Sequence, residues 1–466
     1  LAENNIHIAA TSLYDTMSEG EIIDRKSGAQ RIHKMDTNHG TMCNGLKSIP
    51  AEIGKLTKLQ YLFIANGALE TLPEELGDLV SCTDLELYNC SKLKKFPLQI
   101  ARMPELISIN ISNNRQWSVS EIYAGMDALA CGASKEKIQI LYARQNSLEE
   151  LPESFKNMTK VSLLDLAYNN ISKIHPLGKS VSPVQLYLDN NQLESLPVDE
   201  EGYFCGYDDI ETFSIKYNRL TKIPNIFSAK SNFMIKSVDF SGNNITGCEG
   251  EEDGSYKGIN VETFTLAQNP NMKVYPKAFA ETNSTIAYII LRACGIEEIP
   301  EGAFTYKNSV NMQSFDLSYN KLKKVPNIFD AESLYAIVSI DFSYNHISSF
   351  PEDFRGVYVQ TLTIANNPEL TKYPVELAKS NSKVMNINFR GCNINEIPKG
   401  SFEYENAINL TSFDFSYNDL KELPWEMHAG NLPYLYGVEL SYNQFSEFPW
   451  TPLDSQYLTV FAIRGQ

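Results

Sequence analysis

Only eight cysteines and three tryptophans are spread over 466 residues. The cysteines are too sparse for a disulfide scaffold, and no CxxC pair is present for zinc or redox chemistry. Cysteine usage therefore leaves the compartment open. Long apolar runs are also missing. The longest, around Ile286 to Leu291, is broken at Arg292 and falls far short of the ~20 residues that span a bilayer. Positive charge is in deficit, with 40 Lys and Arg against 57 Asp and Glu, a formal charge of −17. Phosphate recognition needs a concentrated basic surface, so nucleic acid is excluded as a partner and a basic one suits better. The start at Leu1, without Met, leaves room for a signal peptide or lipid anchor upstream.

What is present is a foldable chain, 43% hydrophobic and 21% charged. At roughly 150 residues per domain its length suggests about three domains. An internal repeat overrides that prior. The stretch from Phe315 reads FDLSYNKLKKVP and the stretch from Phe413 reads FDFSYNDLKELP, both in the frame LxLxxNxLxxLP. The frame recurs from Leu163, Leu186 and Val438. Its Asn position falls at Asn44, Gly67, Cys90, Asn114, Asn146, Asn169, Asn191, Asn218, Asn243, Asn269, Cys294, Asn320, Asn345, Asn367, Cys392, Asn418, Asn443 and Gln466, with a mean period of about 25 residues.

Alternating apolar residues such as Phe315 and Leu317 direct one strand face inward and leave Asp316 and Ser318 on the other. The Asn amide then satisfies backbone groups at the bend, and stacked copies form a ladder. Cys90, Cys294 and Cys392 stand in this position as buried structural thiols. A Phe after the closing Pro (Phe304, Phe329, Phe354, Phe402) predicts a spine under the other side. The segments between strands are short, which predicts single helical turns or 3₁₀ pieces. The Asn114 to Asn146 interval is longer and predicts a helical insertion near 118–136, with Ser120 as its N-cap. Residues 1–43 are expected to form a helical N-terminal cap, and 44–466 a solenoid of about 18 units. Leu458, Phe461 and Ile463 fit a last strand, and no capping segment follows it. A solenoid's last core layer needs cover, which predicts a chain that continues or an end packed against another chain.

A longer repeat lies within the second half. GIEEIPEGAFTYKNSVNMQSFDLSYNKLKKVP from Gly295 aligns without gaps on NINEIPKGSFEYENAINLTSFDFSYNDLKELP from Asn393, an offset of 98 residues. The solvent-facing positions repeat with it. Asp239, Asp316, Asp341, Asp414 and Glu439 form an acidic row that Asp165 extends upstream. Tyr319, Tyr344, Tyr417 and Tyr442 form an aromatic row, and Arg144, Arg292, Arg390 and Arg464 a basic one. Strands lie ~4.8 Å apart, so Asp316 and Asp341 are side by side, as are Asp414 and Glu439. Two readings stay open. In one, Arg292 and Arg390 reach Asp316 and Asp414 and merely neutralise the face. In the other, carboxylates and tyrosines form a groove for a basic peptide, a glycan or a cation.

Catalytic signatures are absent: no GxSxG, HExxH, Walker or GxGxxG pattern stands in a strand-turn-helix context. The acidic loop from Glu249 imitates a calcium loop but offers Asn260 where a bidentate Glu is required. His33, Asp36, His39 and Cys43 match no zinc spacing. No catalytic residue, metal or cofactor is therefore assigned.

The repeats resemble the leucine-rich-repeat superfamily. Their irregular lengths, the Asn269-Pro270 and Asn367-Pro368 variants and the acidic composition are similar to cell-surface members from Bacteroidetes-type bacteria. The resemblance implies an α/β fold: a right-handed solenoid curved into a horseshoe, with a concave parallel β-sheet and short helical or 3₁₀ convex segments. It also implies a non-catalytic module, secreted or at the cell surface, that binds a protein or glycan on the concave face. A structural spacer or adhesin stalk, and the recognition arm of a longer effector enzyme, are the alternatives.

Overall fold

The computed structural model describes residues 34–36, 47–65, 68–175, 181, 183–197, 210–224, 235–250, 261–276, 286–300, 303, 312–326, 337–352, 359–379, 384–403, 409–449 and 454–465. The chain divides into two compact units, Leu1–Arg219 and Leu220–Gln466. The first carries β1 (Lys34–Asp36), β2 (Tyr61–Ala65), β3 (Asp84–Tyr88), β4 (Ser108–Asn110), β5 (Ile140–Tyr142), β6 (Leu163–Asp165), β7 (Gln185–Tyr187) and β8 (Thr212–Ser214). The second carries β9 (Ile235–Asp239), β10 (Val261–Thr265), β11 (Tyr288–Ile290), β12 (Ser314–Asp316), β13 (Ile337–Asp341), β14 (Val359–Thr363), β15 (Asn386–Asn388), β16 (Ser412–Asp414), β17 (Gly437–Glu439) and β18 (Val460–Ala462). Within each unit, every strand pairs in parallel with the next one along the chain. This is the parallel solenoid that the repeat predicts.

The register stacks like on like. Phe315 aligns with Ile340, Ile340 with Leu362, and Ile387 with Phe413. These inward residues are buried, as are Leu317, Phe342, Phe389 and Phe415 one alternation later. Burying one such side chain stabilises by about 1.5–3 kcal/mol. Because each row needs its neighbours, stability is distributed along the stack and no single layer holds it.

The asparagines do what the frame requires. Asn345 is buried; its Nδ2 donates to the carbonyls of Leu317 (3.0 Å), Phe342 (2.9 Å) and Ser343 (3.3 Å), and its Oδ1 accepts from Leu322 N (3.0 Å). Asn320 and Asn418 repeat the pattern on Leu291 and Phe389. The thiols of Cys294 and Cys392 donate to the equivalent carbonyls, Leu266 (3.0 Å) and Ile364 (3.2 Å). Burial pushes both thiols up to about 12, consistent with a structural role. The turns preceding them, at Asn269-Pro270 and Asn367-Pro368, are closed by backbone bonds: Met272 N donates to Asn269 O and Leu370 N to Asn367 O.

Between strands the chain forms 3₁₀ turns, Ala51–Lys55, Glu74–Asp78, Leu98–Arg102, Glu153–Asn157 and Trp425–Met427, each entered through a proline. The predicted insertion is α1 (Val119–Cys131), which buries Ile122, Met126 and Leu129 and packs on the 3₁₀ turns Leu98–Arg102 and Glu153–Asn157. Its N-cap is Ser118, not Ser120: the Ser118 hydroxyl accepts from Glu121 N at 3.2 Å. Glu121 sits at the third helical position, where a capping box places Glu, but its Oε2 accepts instead from Phe96 N at 3.1 Å. Of the predicted phenylalanine spine, Phe402 is buried 5.1 Å from Tyr373, while Phe304, Phe329 and Phe354 lie outside the described residues. So do the acidic loops at 198–209 and 251–260. At the N-terminus, β1 occupies three residues of the segment expected to be a helical cap; apart from it, 1–43 lies outside the described residues, as do Asn44 and Gln466. No described helix is long and apolar enough to cross a membrane.

Candidate functional site

The acidic row is laid out by register. Asp316 aligns with Asp341, and Asp414 with Glu439, so like charges do stand side by side. Their placement follows from an unmet backbone donor. As each strand ends, the N–H groups of Leu317 and Tyr319 go to the next strand, on Asp341 O and Ser343 O. Ser318 N points elsewhere, and Asp316 Oδ1 accepts it at 2.9 Å along with the Ser318 hydroxyl. Asp341 does the same for Ser343 N (2.8 Å), Asp414 for Ser416 N (2.8 Å), Glu439 for Ser441 N (2.9 Å) and Asp239 for Ser241 N (2.9 Å). Donation to the ionised form offsets the repulsion between neighbours. One oxygen of each carboxylate is thus engaged. The other oxygens of Asp316, Asp341 and Asp414 have no hydrogen-bond partner among the described residues.

The tyrosines occupy an unusual backbone position. Tyr319, Tyr344, Tyr417 and Tyr442 have φ of 57°, 55°, 55° and 59°, the left-handed region that a side chain adopts at a cost of roughly 1–2 kcal/mol. That conformation turns the rings out onto the sheet surface, where they are 41–46% exposed. They stack in pairs, Tyr319 on Tyr344 with ring centroids 4.1 Å apart and Tyr417 on Tyr442 at 4.3 Å. The Tyr319 hydroxyl, hydrogen-bonded to that of Tyr344, raises the ionisation of Tyr344 above its ordinary value.

The arginines lie on the tyrosines. The guanidinium of Arg292 is 4.1 Å from the Tyr319 ring centroid, and that of Arg390 is 4.1 Å from Tyr417, where it also donates to the Ser416 hydroxyl at 3.1 Å. Neither makes an ion pair with Asp316 or Asp414. The neutralised-face reading therefore fails for these two arginines. Each copy of the 98-residue duplication instead builds the same ladder, arginine over tyrosine over tyrosine. A small residue in the left-handed position beside each arginine, Ala293 or Gly391, keeps the adjoining rung narrow. Arg464 lies past the second ladder, its backbone N donating to the Ser441 hydroxyl and its carbonyl accepting from Tyr442 N.

Self-neutralisation does occur in the first unit. Arg144 Nη1 is 3.3 Å from Asp165 Oδ2, and Lys216 Nζ is 3.8 Å from Asp189 Oδ2. Arg144, Asp165 and Asp189 line a depression of about 260 Å³ with Tyr142, Leu163, Ala167, Gln185 and Tyr187. Register explains it: Asp165 on β6 lies between Tyr142 on β5 and Tyr187 on β7, so a short side chain sits between two long ones. The sequence places Asp165 and Arg144 in their rows but does not single out Tyr142, Gln185, Tyr187 or Asp189. Their signal is a tyrosine at the last strand position, where the neighbouring strands carry the shorter polar residues Asn110, Asp165 and Ser214. Among the described residues no group of three His, Cys, Asp or Glu is placed to hold a metal ion.

No protein-family model matches the chain. A leucine-rich repeat protein from Bacteroides eggerthii is similar in structure, with a TM-score of 0.70 and 24% identity over 95% of this chain and 77% of that one. The Toll–Spatzle complex from Drosophila is similar at a TM-score of 0.56 and 16% identity, over 88% of this chain and 52% of that one. Podocan from Mus musculus is 23% identical over 462 residues, 94% of this chain and 71% of podocan. Repeat frame, asparagine ladder and these likenesses together give the chain a leucine-rich-repeat fold.

Proposed function

We propose that this chain is a non-catalytic recognition module of a bacterial surface or secreted protein, and that it binds a protein ligand on the solvent-facing strand surface of residues 220–466. The leucine-rich-repeat fold is a protein-interaction scaffold, and Toll is similar to this chain in its complex with Spatzle. The observation that carries the reading is the duplicated ladder. Two pairs of exposed, stacked tyrosines, each topped by an arginine, recur at the same offset as the sequence duplication. Tyr and Arg are the residues that dominate interface energetics, and stacked rings lose little freedom on binding. The second carboxylate oxygens of Asp316, Asp341 and Asp414, which no described residue engages, on a chain of charge −17, favour a partner segment carrying Lys or Arg.

A peptide array graded in Lys and Arg content tests this. The wild-type chain should be retained by basic peptides, more weakly as salt rises. The Asp316→Asn/Asp341→Asn/Asp414→Asn variant keeps the backbone-accepting oxygen and should lose that retention. Retention equal in both proteins, or none in either, would sink the proposal.

A further inference from the structure

We propose that the depression over β6 in the first unit is a separate site, which binds one polyhydroxylated ring such as a sugar residue of a glycan. Its shape comes from the alternation of side-chain size across three strands. Tyr142 and Tyr187 rise on either side of Asp165, and Arg144 and Asp189 stand either side of the small Ala167, whose neighbours are set by Gln145 N on Ala167 O and Tyr168 N on Asp189 O. Two aromatic walls thus face a polar floor. At about 260 Å³ the space lies just under the ~300–1,000 Å³ of drug-sized pockets, which limits the occupant to a ring or two.

Charge decides the ligand class. Asp165 is balanced by Arg144 within the depression and Asp189 by Lys216 beside it, so neither a free cation nor a free anion gains much there. An apolar occupant would be worse. Asp165 is 3% exposed; its Oδ1 accepts from Ala167 N at 3.1 Å and its Oδ2 meets Arg144, and covering the rim with hydrocarbon would strip the remaining water from Asp165, Arg144 and Asp189. A hydroxyl both donates and accepts, so vicinal hydroxyls can replace that water on carboxylate, guanidinium and amide alike. The C–H faces of a sugar ring meanwhile pack against tyrosine. Gln185 is already held in place, its Oε1 accepting from the Tyr187 hydroxyl at 3.3 Å. Burial raises the Asp165 carboxyl above its ordinary value, in keeping with a floor shielded from bulk water.

Saturation-transfer-difference NMR with methyl glycosides of mannose, galactose, glucose and N-acetylglucosamine tests the assignment on the full chain. At least one glycoside should receive saturation at millimolar concentration. Tyr187→Ala should weaken it about tenfold, as expected for loss of one stacking contact. Gln185→Ala, which removes only the bond to the Tyr187 hydroxyl among the described residues, should also weaken it, and Tyr417→Ala in the other unit should change nothing. Absence of transfer to every glycoside overturns the proposal, as does transfer that survives both Tyr187→Ala and Gln185→Ala. Transfer abolished by Tyr417→Ala would overturn it too, by placing the sugar on the tyrosine ladder. Stronger transfer to a simple alkylammonium ion than to any glycoside overturns the ligand class. The site is remote in sequence from the tyrosine ladder, so its failure leaves the protein-binding proposal standing, and the reverse.

Discussion

Replacing Asn345 by alanine removes one rung of the asparagine ladder, and its cost can be worked from the bonds that rung makes. The amide donates to Leu317 O and Phe342 O and accepts from Leu322 N, all in a buried setting. Leu317 O still accepts from Asn320 Nδ2 and Phe342 O from Asn367 Nδ2, so alanine strands one backbone group, Leu322 N, and takes one of two donors from each carbonyl. The stranded N–H costs about 1–3 kcal/mol and each bond lost to a carbonyl that keeps another donor about 0.5–1.5 kcal/mol, and a water entering the vacated volume recovers part of it, so the net loss is about 2–4 kcal/mol. For a unit of this size each kcal/mol lowers Tm by about 2–4 °C, which puts the shift at roughly 4–16 °C. Calorimetry of wild type and variant reads that shift directly. Hydrogen exchange gives the local view, because the Leu322 amide should lose protection more than the strand amides of β12. Asn345→Cys should cost less than alanine, since a thiol can still donate to Leu317 O as Cys392 does to Ile364 O. A loss under about 1 kcal/mol for Asn345→Ala would refute the claim that the side-chain ladder, and not the strands alone, holds the turns.

Further outcomes follow from particular residues. Ser118→Ala removes the N-cap of α1 and should destabilise the first unit by about 0.5–2 kcal/mol, while Ser120→Ala stays within about 0.5 kcal/mol, measured by urea denaturation. In native protein at pH 8, mass spectrometry after iodoacetamide should find Cys131 labelled and Cys82, Cys90, Cys294 and Cys392 spared. Cys131 is exposed, and burial pushes the other four thiols up to about 12. Asp165 has its folded-state pKa raised by burial, so the native state holds the proton more tightly than the unfolded chain. Its contribution is present below the unfolded value of 3.8 and is lost as pH rises through the folded value. Asp165→Asn should therefore flatten the fall of stability above pH 3.8; a steeper fall in the variant would contradict the sign.

Most of the fold was legible in the sequence because a repeat amplifies weak signals. A single LxLxxN segment is an ambiguous short strand, but many in phase leave one physical solution, a parallel stack with Asn at every bend. The thiols at Cys294 and Cys392 could be read as structural for the same reason. The helix start was misplaced by two residues because Ser118 and Ser120 are both plausible caps, and only the geometry shows which hydroxyl meets the Glu121 amide. The site was legible in its rows but not in its contacts. Alternation puts Asp316 and Arg292 on one face, yet whether arginine meets carboxylate or ring depends on the left-handed turn at Tyr319, which no propensity assigns to tyrosine. The depression in the first unit was missed for a related reason. It arises from side-chain size compared across β5, β6 and β7, and a reading along one strand never makes that comparison.

The central claim is that the tyrosine ladder serves recognition and is not needed for the fold. Tyr319→Gly/Tyr417→Gly tests it well, because glycine accepts the left-handed backbone freely. Relief of about 1–2 kcal/mol per site offsets about 0.5–1.5 kcal/mol of lost ring stacking and about 0.5–1 kcal/mol of lost cation–π contact. The fold should thus survive almost unchanged. The decisive measurement is isothermal titration of this variant and the wild type with the basic peptide best retained on the array, beside their melting curves. The account predicts binding weakened at least about tenfold with Tm altered by only a few degrees. Full affinity in a folded variant, or a variant that no longer folds, would contradict it.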